Sequence, residues 1–158
     1  MSEDLKLDFW KKLDASPFVM LRLVGSSDHA LPMTAQLDRE QGPAHGGAIW
    51  FFTGRDNRLA QGGAAMADYM SKGHDFFACL SGTIVEERDR AMLDRLWSPQ
   101  VEAWYDGGKS DPNLLLLRMD LDEIEAWEID LGFKGWIQLL TGGSMKTDEM
   151  GEHLREKV

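Results

Sequence analysis

The chain has 158 residues, 43% apolar and 28% charged, with a formal net charge of −10, a length and apolar share that suit one globular domain. Such acidity repels polyanions and argues against nucleic acid as a partner. No stretch approaches the ~20 apolar residues of a membrane helix, Ser2-Glu3-Asp4 does not open like a secretory signal, and the single Cys79 forms no internal disulfide, so no membrane partner and a cytoplasmic, reducing setting are expected.

Leu5, Phe9, Trp10 and Leu13 share one helical face, with Ser2 placed to cap the helix and Ser16-Pro17 to end it. Phe18 to Val24 reads as a buried strand, followed by a turn at Gly25-Ser26-Ser27-Asp28 and a second strand through about Ala30 to Leu37. Gly42, Pro43, Gly46 and Gly47 mark a loop. Ala48 to Thr53 is an aromatic strand, Gly54-Arg55-Asp56-Asn57 a turn, and a helix is expected from Arg58, weakened by Gly62-Gly63. A long strand covers Phe76 to Glu86. Glu87 to Trp97 has helical periodicity, and a short helix after Pro99 is expected to carry Val101 and Trp104 until Gly107-Gly108 breaks it. Leu114 to Leu121 and Ile124 to Ile129 read as two strands. Gly142-Gly143-Ser144 reads as a joint, and Met150, Leu154 and Val158 at helical spacing suggest a docked helical tail. Strands and helices without regular alternation predict a mainly antiparallel barrel with peripheral helices.

Two segments stand out as sites. Trp50-Phe51-Phe52-Thr53-Gly54-Arg55-Asp56-Asn57-Arg58 runs from an aromatic strand through a polar turn to an expected helix start. Backbone N–H groups there, with Thr53, Asn57 and Arg58, suit a phosphate. An ordinary strand–turn–helix with solvated arginines would read the same way. In Leu31-Pro32-Met33-Thr34-Ala35 the proline removes a ladder donor and marks an edge. An interrupted ladder can meet a planar ligand, and an empty strand edge reads equally well. Other patterns lead nowhere. Gly108-Lys109-Ser110 lacks the first glycine of a P-loop, since Ala103 stands there. His29, His45, His74 and His153 have no zinc spacing, so no metal is expected. Ser81-Gly82 lacks a nucleophile elbow. Asp120, Asp122, Glu123 and Glu125 read as a solvated turn, and Cys79, beside Phe77 and Leu80, as a buried, inert thiol. Trp97, Trp104 and Trp127 read as core aromatics that could also stack on a ring.

These segments, with Leu80-Ser81-Gly82-Thr83, Leu96-Trp97-Ser98-Pro99, Ala103-Trp104, Gly107-Gly108-Lys109, Asp111-Pro112 and Leu116-Leu117-Arg118, resemble the general stress protein 26 branch of the pyridoxamine phosphate oxidase-like superfamily. The resemblance covers nearly the whole chain. It implies an antiparallel split β-barrel, mainly β with peripheral helices, that binds flavin mononucleotide (FMN) in a cleft of a homodimer. By motif position, Met33 and Thr34 would border the isoalloxazine, Phe52 and Thr53 would line the cleft, and Asn57 and Arg58 would hold the phosphate. Trp127 would come from the partner subunit. Residues 1–141 would form the barrel and 142–158 a charged helical tail.

Two positions depart from the family pattern. Leu59 stands where a lysine is common in the phosphate turn, which predicts that Leu59→Lys tightens FMN binding. Leu31 stands where an arginine often precedes Pro-Met-Thr. The basic substrate-binding residues of pyridoxamine phosphate oxidase itself have no match near the C-terminus, so that vitamin-salvage reaction is not expected. The resemblance implies a flavin-dependent oxidoreductase. Alternatives are a non-catalytic flavin-buffering stress protein and a barrel without cofactor that serves as an interaction module.

Overall fold

The computed structural model describes residues 2–129 and 151–158. Helix α1 (Ser2–Ala15) precedes β1 (Phe18–Leu23), β2 (Leu31–Thr34), β3 (Ala48–Gly54), β4 (Gly63–Met70) and β5 (Phe76–Glu86). Two short helices, α2 (Arg90–Leu96) and α3 (Pro99–Glu102), then lead to β6 (Leu114–Ile129) and β7 (Gly151–Lys157). All pairings are antiparallel, in the order β2-β1-β4-β5-β6-β3, with β7 added to β6 beyond the end of β3. One isolated bridge between Gln36 and Trp50 joins β2's extension to β3 and closes the sheet into a barrel.

The strands are built by alternation. In β1, Val19, Leu21 and Leu23 point into the core while Phe18 and Met20 point out, so the strand is half-buried rather than buried throughout. The interior packs Val19, Leu21, Ile49, Phe51, Ala67, Leu80, Ile124 and Ala126 together. The apolar face of α1 plugs one end, where Phe9 meets Tyr69 at 5.9 Å and Phe76 at 6.4 Å between ring centroids. Leu59 joins the core from the turn at the other end. A second apolar cluster forms where Met92, Leu93 and Leu96 of α2 cover Ala48, Trp50, Leu114 and Leu116. The side chain of Asp89 caps α2 through the Ala91 N–H, and Ser98 caps α3 through that of Val101. Helix α3 stops at Glu102, and Trp104 is 85% exposed instead of lying on a helix face.

Three expectations are corrected. No helix begins at Arg58. The Asn57 Oδ1 accepts the Leu59 N–H at 2.8 Å, which bends the chain into a turn. Gly62 and Gly63 then take left-handed φ values of 69° and 105° before β4 starts. The two late strands are one. β6 runs unbroken and absorbs an extra residue near Asp122, where the register against β5 shifts between Ser81 and Gly82. Gly82 is required there, since a Cβ would run into the Asp120 carbonyl oxygen. The acidic group is therefore a strand and its ion pairs, with Arg118 on Asp120, Lys157 on Asp122 and Arg155 on Glu123, and a hydrogen bond between the His153 ring and Glu125 at 2.9 Å.

The third correction concerns the tail. Residues 151–157 form β7, because a period of two sets Leu154 inward while His153, Arg155 and Lys157 meet the carboxylates of β6. The joint at 142–144 and Met150 lie outside the described residues.

Asp38 pins the loop that precedes β3. It is buried, and it accepts hydrogen bonds from the Gln41 amide at 3.0 Å, the Glu40 N–H at 3.2 Å and the Arg95 guanidinium of α2. Burial alone would raise its pKa, but the bonds from Gln41, Glu40 and Arg95 together bring it below the ordinary 3.8. A depressed carboxyl stabilises the fold above its unfolded pKa and loses that contribution as pH falls through the folded value. The wild-type melting temperature should therefore fall as pH drops from about 4. Asp38→Asn should start lower at neutral pH and show a shallower acid slope. Equal slopes in a pH series of thermal melts would contradict this role.

Candidate functional site

The site expected from sequence centres on the edge of β2. Ala35 donates its N–H to the Pro17 carbonyl at 2.7 Å, on the β1 side. Alternation turns the N–H groups of Thr34 and Gln36 the other way, toward β3. Gln36 reaches the Trp50 carbonyl at 2.7 Å. The N–H of Thr34 instead opens into the gap where β2 and β3 diverge. Pro32 falls in the same outward set, so its missing donor costs the ladder nothing. The barrel is thus closed at Gln36 and split at Thr34.

Neighbouring residues of a strand face opposite sides, and this divides the expected set. Met33 lies opposite Val19 and packs against the core, while Thr34 lies opposite Phe18 on the outer face. Thr53 is buried on the interior side, and Phe52 lies under the helices with its ring edge-on to Trp97 at 5.6 Å. The side chains of Phe52 and Thr53 therefore face opposite sides of β3.

Asn57 and Arg58 sit in the turn that crosses the barrel end. The Asn57 side-chain oxygen is committed to the turn, which leaves its NH2 group as a donor. Arg58 is exposed and forms no ion pair among the described residues. Since no helix starts here, side chains and turn N–H groups, without a helix terminus, are what this segment offers an anion. Arg55 is engaged differently. Its guanidinium donates to Glu86 at 3.0 Å and its N–H to the Asn113 carbonyl at 2.8 Å.

The outer face carries a row that crosses six strands. Thr34 lies beside Phe18, Met70 beside Phe77, Phe77 beside Trp127 and Trp127 beside His153. Thr34 and Trp127 are four strand spacings apart, about 19 Å along the sheet, farther than one tricyclic ring spans. One chain does not bring them together. Trp127 stacks on the His153 ring at 5.2 Å.

Sequence reading missed the apolar part of this face, where Phe18, Met20 and Met70 are 62%, 43% and 53% exposed. A signal existed, because a strand apolar at odd and even positions alike is covered on both faces. Cys79 is also on this face, half-buried, opposite Asp68 and Glu125. Burial, then Asp68, pushes its thiol up to about 11, which keeps it protonated and inert. Burial likewise pushes the Tyr69 phenol up to about 12. Among the described residues no His, Cys, Asp and Glu cluster could hold a metal ion, and no helix is long and apolar enough to cross a membrane.

Comparison with known proteins places this geometry. The profile of the pyridoxamine 5'-phosphate oxidase like family matches residues 4–142. A general stress FMN/FAD binding protein from Xanthomonas citri is 50% identical, with 80% of this chain and 89% of that chain covered and a TM-score of 0.71. A general stress family protein from Xanthomonas campestris pv. campestris is 46% identical over 84% and 92%, with a TM-score of 0.75. A general stress protein 26 from a Jannaschia species is 28% identical over the whole of both chains, with a TM-score of 0.79. No curated protein matches. The split antiparallel barrel, the Pro32-Met33-Thr34 edge and the Thr53–Arg58 turn are accounted for together: this chain belongs to the pyridoxamine 5'-phosphate oxidase-like family, in its general stress protein branch.

Proposed function

We propose that this chain binds FMN as a homodimer and acts as a flavin-dependent oxidoreductase of the general stress protein 26 type in a reducing compartment. The observation that carries the reading is the split at Thr34. An outward N–H and an exposed hydroxyl there meet the edge of a planar ring, and Arg58 and the Asn57 amide lie at the barrel end to take its phosphate. The relative from Xanthomonas citri, described as an FMN/FAD binding protein, supports a flavin as the ring. The flavin, when bound, supplies hydride and electron transfer. The residues around it orient the ring.

The second subunit completes the cleft. Phe18, Met20, Met70 and Pro32 make an apolar patch on the outer face of a kind that marks an interface. A two-fold axis would bring the partner's copy of the same face against it. Trp127, too far from Thr34 in its own chain, would then reach the ring of the other subunit.

Light scattering should give a dimer at micromolar concentration with FMN present, and Phe18→Glu combined with Met70→Glu should give a monomer that has lost flavin affinity. A wild-type monomer that binds FMN fully would defeat the two-subunit cleft. Bleaching of the bound flavin and reoxidation under turnover with NADPH test the catalytic part. Tight binding without turnover makes the protein a flavin store, and a colourless protein that FMN does not quench makes it an interaction module.

A further inference from the structure

The described residues form an open cavity of about 350 Å³ beside α2, at the barrel end that carries the 54–62 turn. None of Met33, Thr34, Phe52, Thr53, Asn57, Arg58 and Trp127 lines it. Its apolar wall is Leu93, Leu114 and Leu116. Four cations, Arg55, Arg88, Arg90 and Lys109, and four carboxylates, Glu86, Glu87, Asp89 and Asp111, also line it.

The formal charges cancel, but the hydrogen bonds do not. Glu87 spends one oxygen on the Trp50 indole N–H at 3.0 Å and the other on Arg118 at 3.1 Å, neither of which lines the cavity. Asp111 spends both oxygens on the N–H groups of Gly107 and Asn113. Asp89 caps α2 through Ala91. Among the described residues only Glu86 answers the lining arginines, and it is shared between Arg55 at 3.0 Å and Arg88 at 3.4 Å. Arg90 reaches only the Lys109 carbonyl, at 3.4 Å, and Lys109 is held by Asp94. Arg88 is 85% exposed in its side chain. Each guanidinium has five donors, so Arg88 and Arg90 carry more donors than the bonds found for them among the described residues.

We propose that this cavity binds a phosphate- or pyrophosphate-bearing small molecule through Arg55, Arg88 and Arg90, at a site separate from Arg58 and the split at Thr34. Arginine forks match the paired oxygens of a phosphoryl group. The volume exceeds what a lone carboxylate would fill. In a chain with a net charge of −10, an anion is retained only where donors converge.

Calorimetric titration of sodium pyrophosphate at low ionic strength, with and without saturating FMN, tests this. Binding should survive FMN saturation and weaken as salt rises. It should weaken at least about tenfold when Arg88→Ala and Arg90→Ala are combined. Both side chains are exposed, so the fold should stand, with thermal melts as control. Glu86→Gln releases Arg55 and Arg88 from their shared carboxylate and should tighten binding. FMN affinity should change in neither variant. The absence of binding heat, or unaltered binding in the double variant, overturns the proposal. Displacement of pyrophosphate by FMN also overturns it, because the cavity would then be the flavin's own phosphate pocket. If FMN does not bind at all, the flavin reading fails alone and the pyrophosphate arm still reports on the cavity.

Discussion

Leu59→Lys is expected to leave the protein largely unfolded or insoluble at 37 °C, the reverse of the tighter FMN binding that the family motif suggests for a lysine there. Leu59 is 2% exposed and belongs to the main core cluster. It gets there because the turn at Asn57 folds the chain back across the barrel end. Removing a buried leucine side chain costs about 2–5 kcal/mol. An ammonium among these apolar side chains adds a desolvation penalty of several kcal/mol. A domain of this size is stable by only about 5–15 kcal/mol. Leu59→Met keeps the volume and should cost less than about 1.5 kcal/mol. Urea denaturation of both variants provides the measurement. A lysine variant as stable as wild type that also binds FMN more tightly would mean that residue 59 faces the ligand after all.

Arg58→Ala should weaken FMN binding at least about tenfold, and Arg55→Ala less than about threefold. The two arginines share one turn but differ in what holds them. Arg55 donates to Glu86, which also holds Arg88. Losing an exposed pair of that kind costs about 0–1 kcal/mol. Arg58 makes no ion pair among the described residues, so its donors remain available. Because no helix terminus backs the turn, the side chains of Arg58 and Asn57 carry more of the recognition than a helix-start motif would require. A charge-assisted contact is worth roughly 1.5–3 kcal/mol, so wild type should favour FMN over riboflavin by about 10- to 150-fold. Arg58→Ala should narrow that preference, which separates loss of a phosphate contact from general damage to the cleft. Fluorescence quenching of the wild type and both variants with both flavins, with circular dichroism as a folding control, gives these affinities. Greater damage from Arg55→Ala would move the flavin phosphate to the α2 side of the turn.

Some of this architecture follows from local sequence. β5 runs from Phe76 to Glu86 as its alternation and β-branched end require, and Ala48–Gly54 is set by its aromatic run. The helical spacing of Ala91, Met92, Leu96 and Trp97 marks the stretch that folds as α2. Pro32 marks a strand edge because it lacks a donor, and its outward position in β2 is where that lack is harmless. The family itself is legible in the Pro32-Met33-Thr34 and Thr53–Arg58 segments.

Other features depend on contacts distant in sequence. Gly63–Met70 contains three alanines, which favour a helix when judged alone. It is a strand because β1 and β5 each offer it a ladder and because its small residues let Ala65, Ala67 and Tyr69 fill the interior. Met150, Leu154 and Val158 have a helical spacing, yet cross-strand contacts of His153 and Arg155 with Glu125 and Glu123 hold Gly151–Lys157 extended. The sequence alone determined the family and the proline-marked edge of β2, since each rests on a few adjacent residues. Only the tertiary structure decided that Leu59 is core and that Arg55, Arg88 and Arg90 converge. Those outcomes depend on which strand lies beside which, and the pairing energy comes from residues far along the chain.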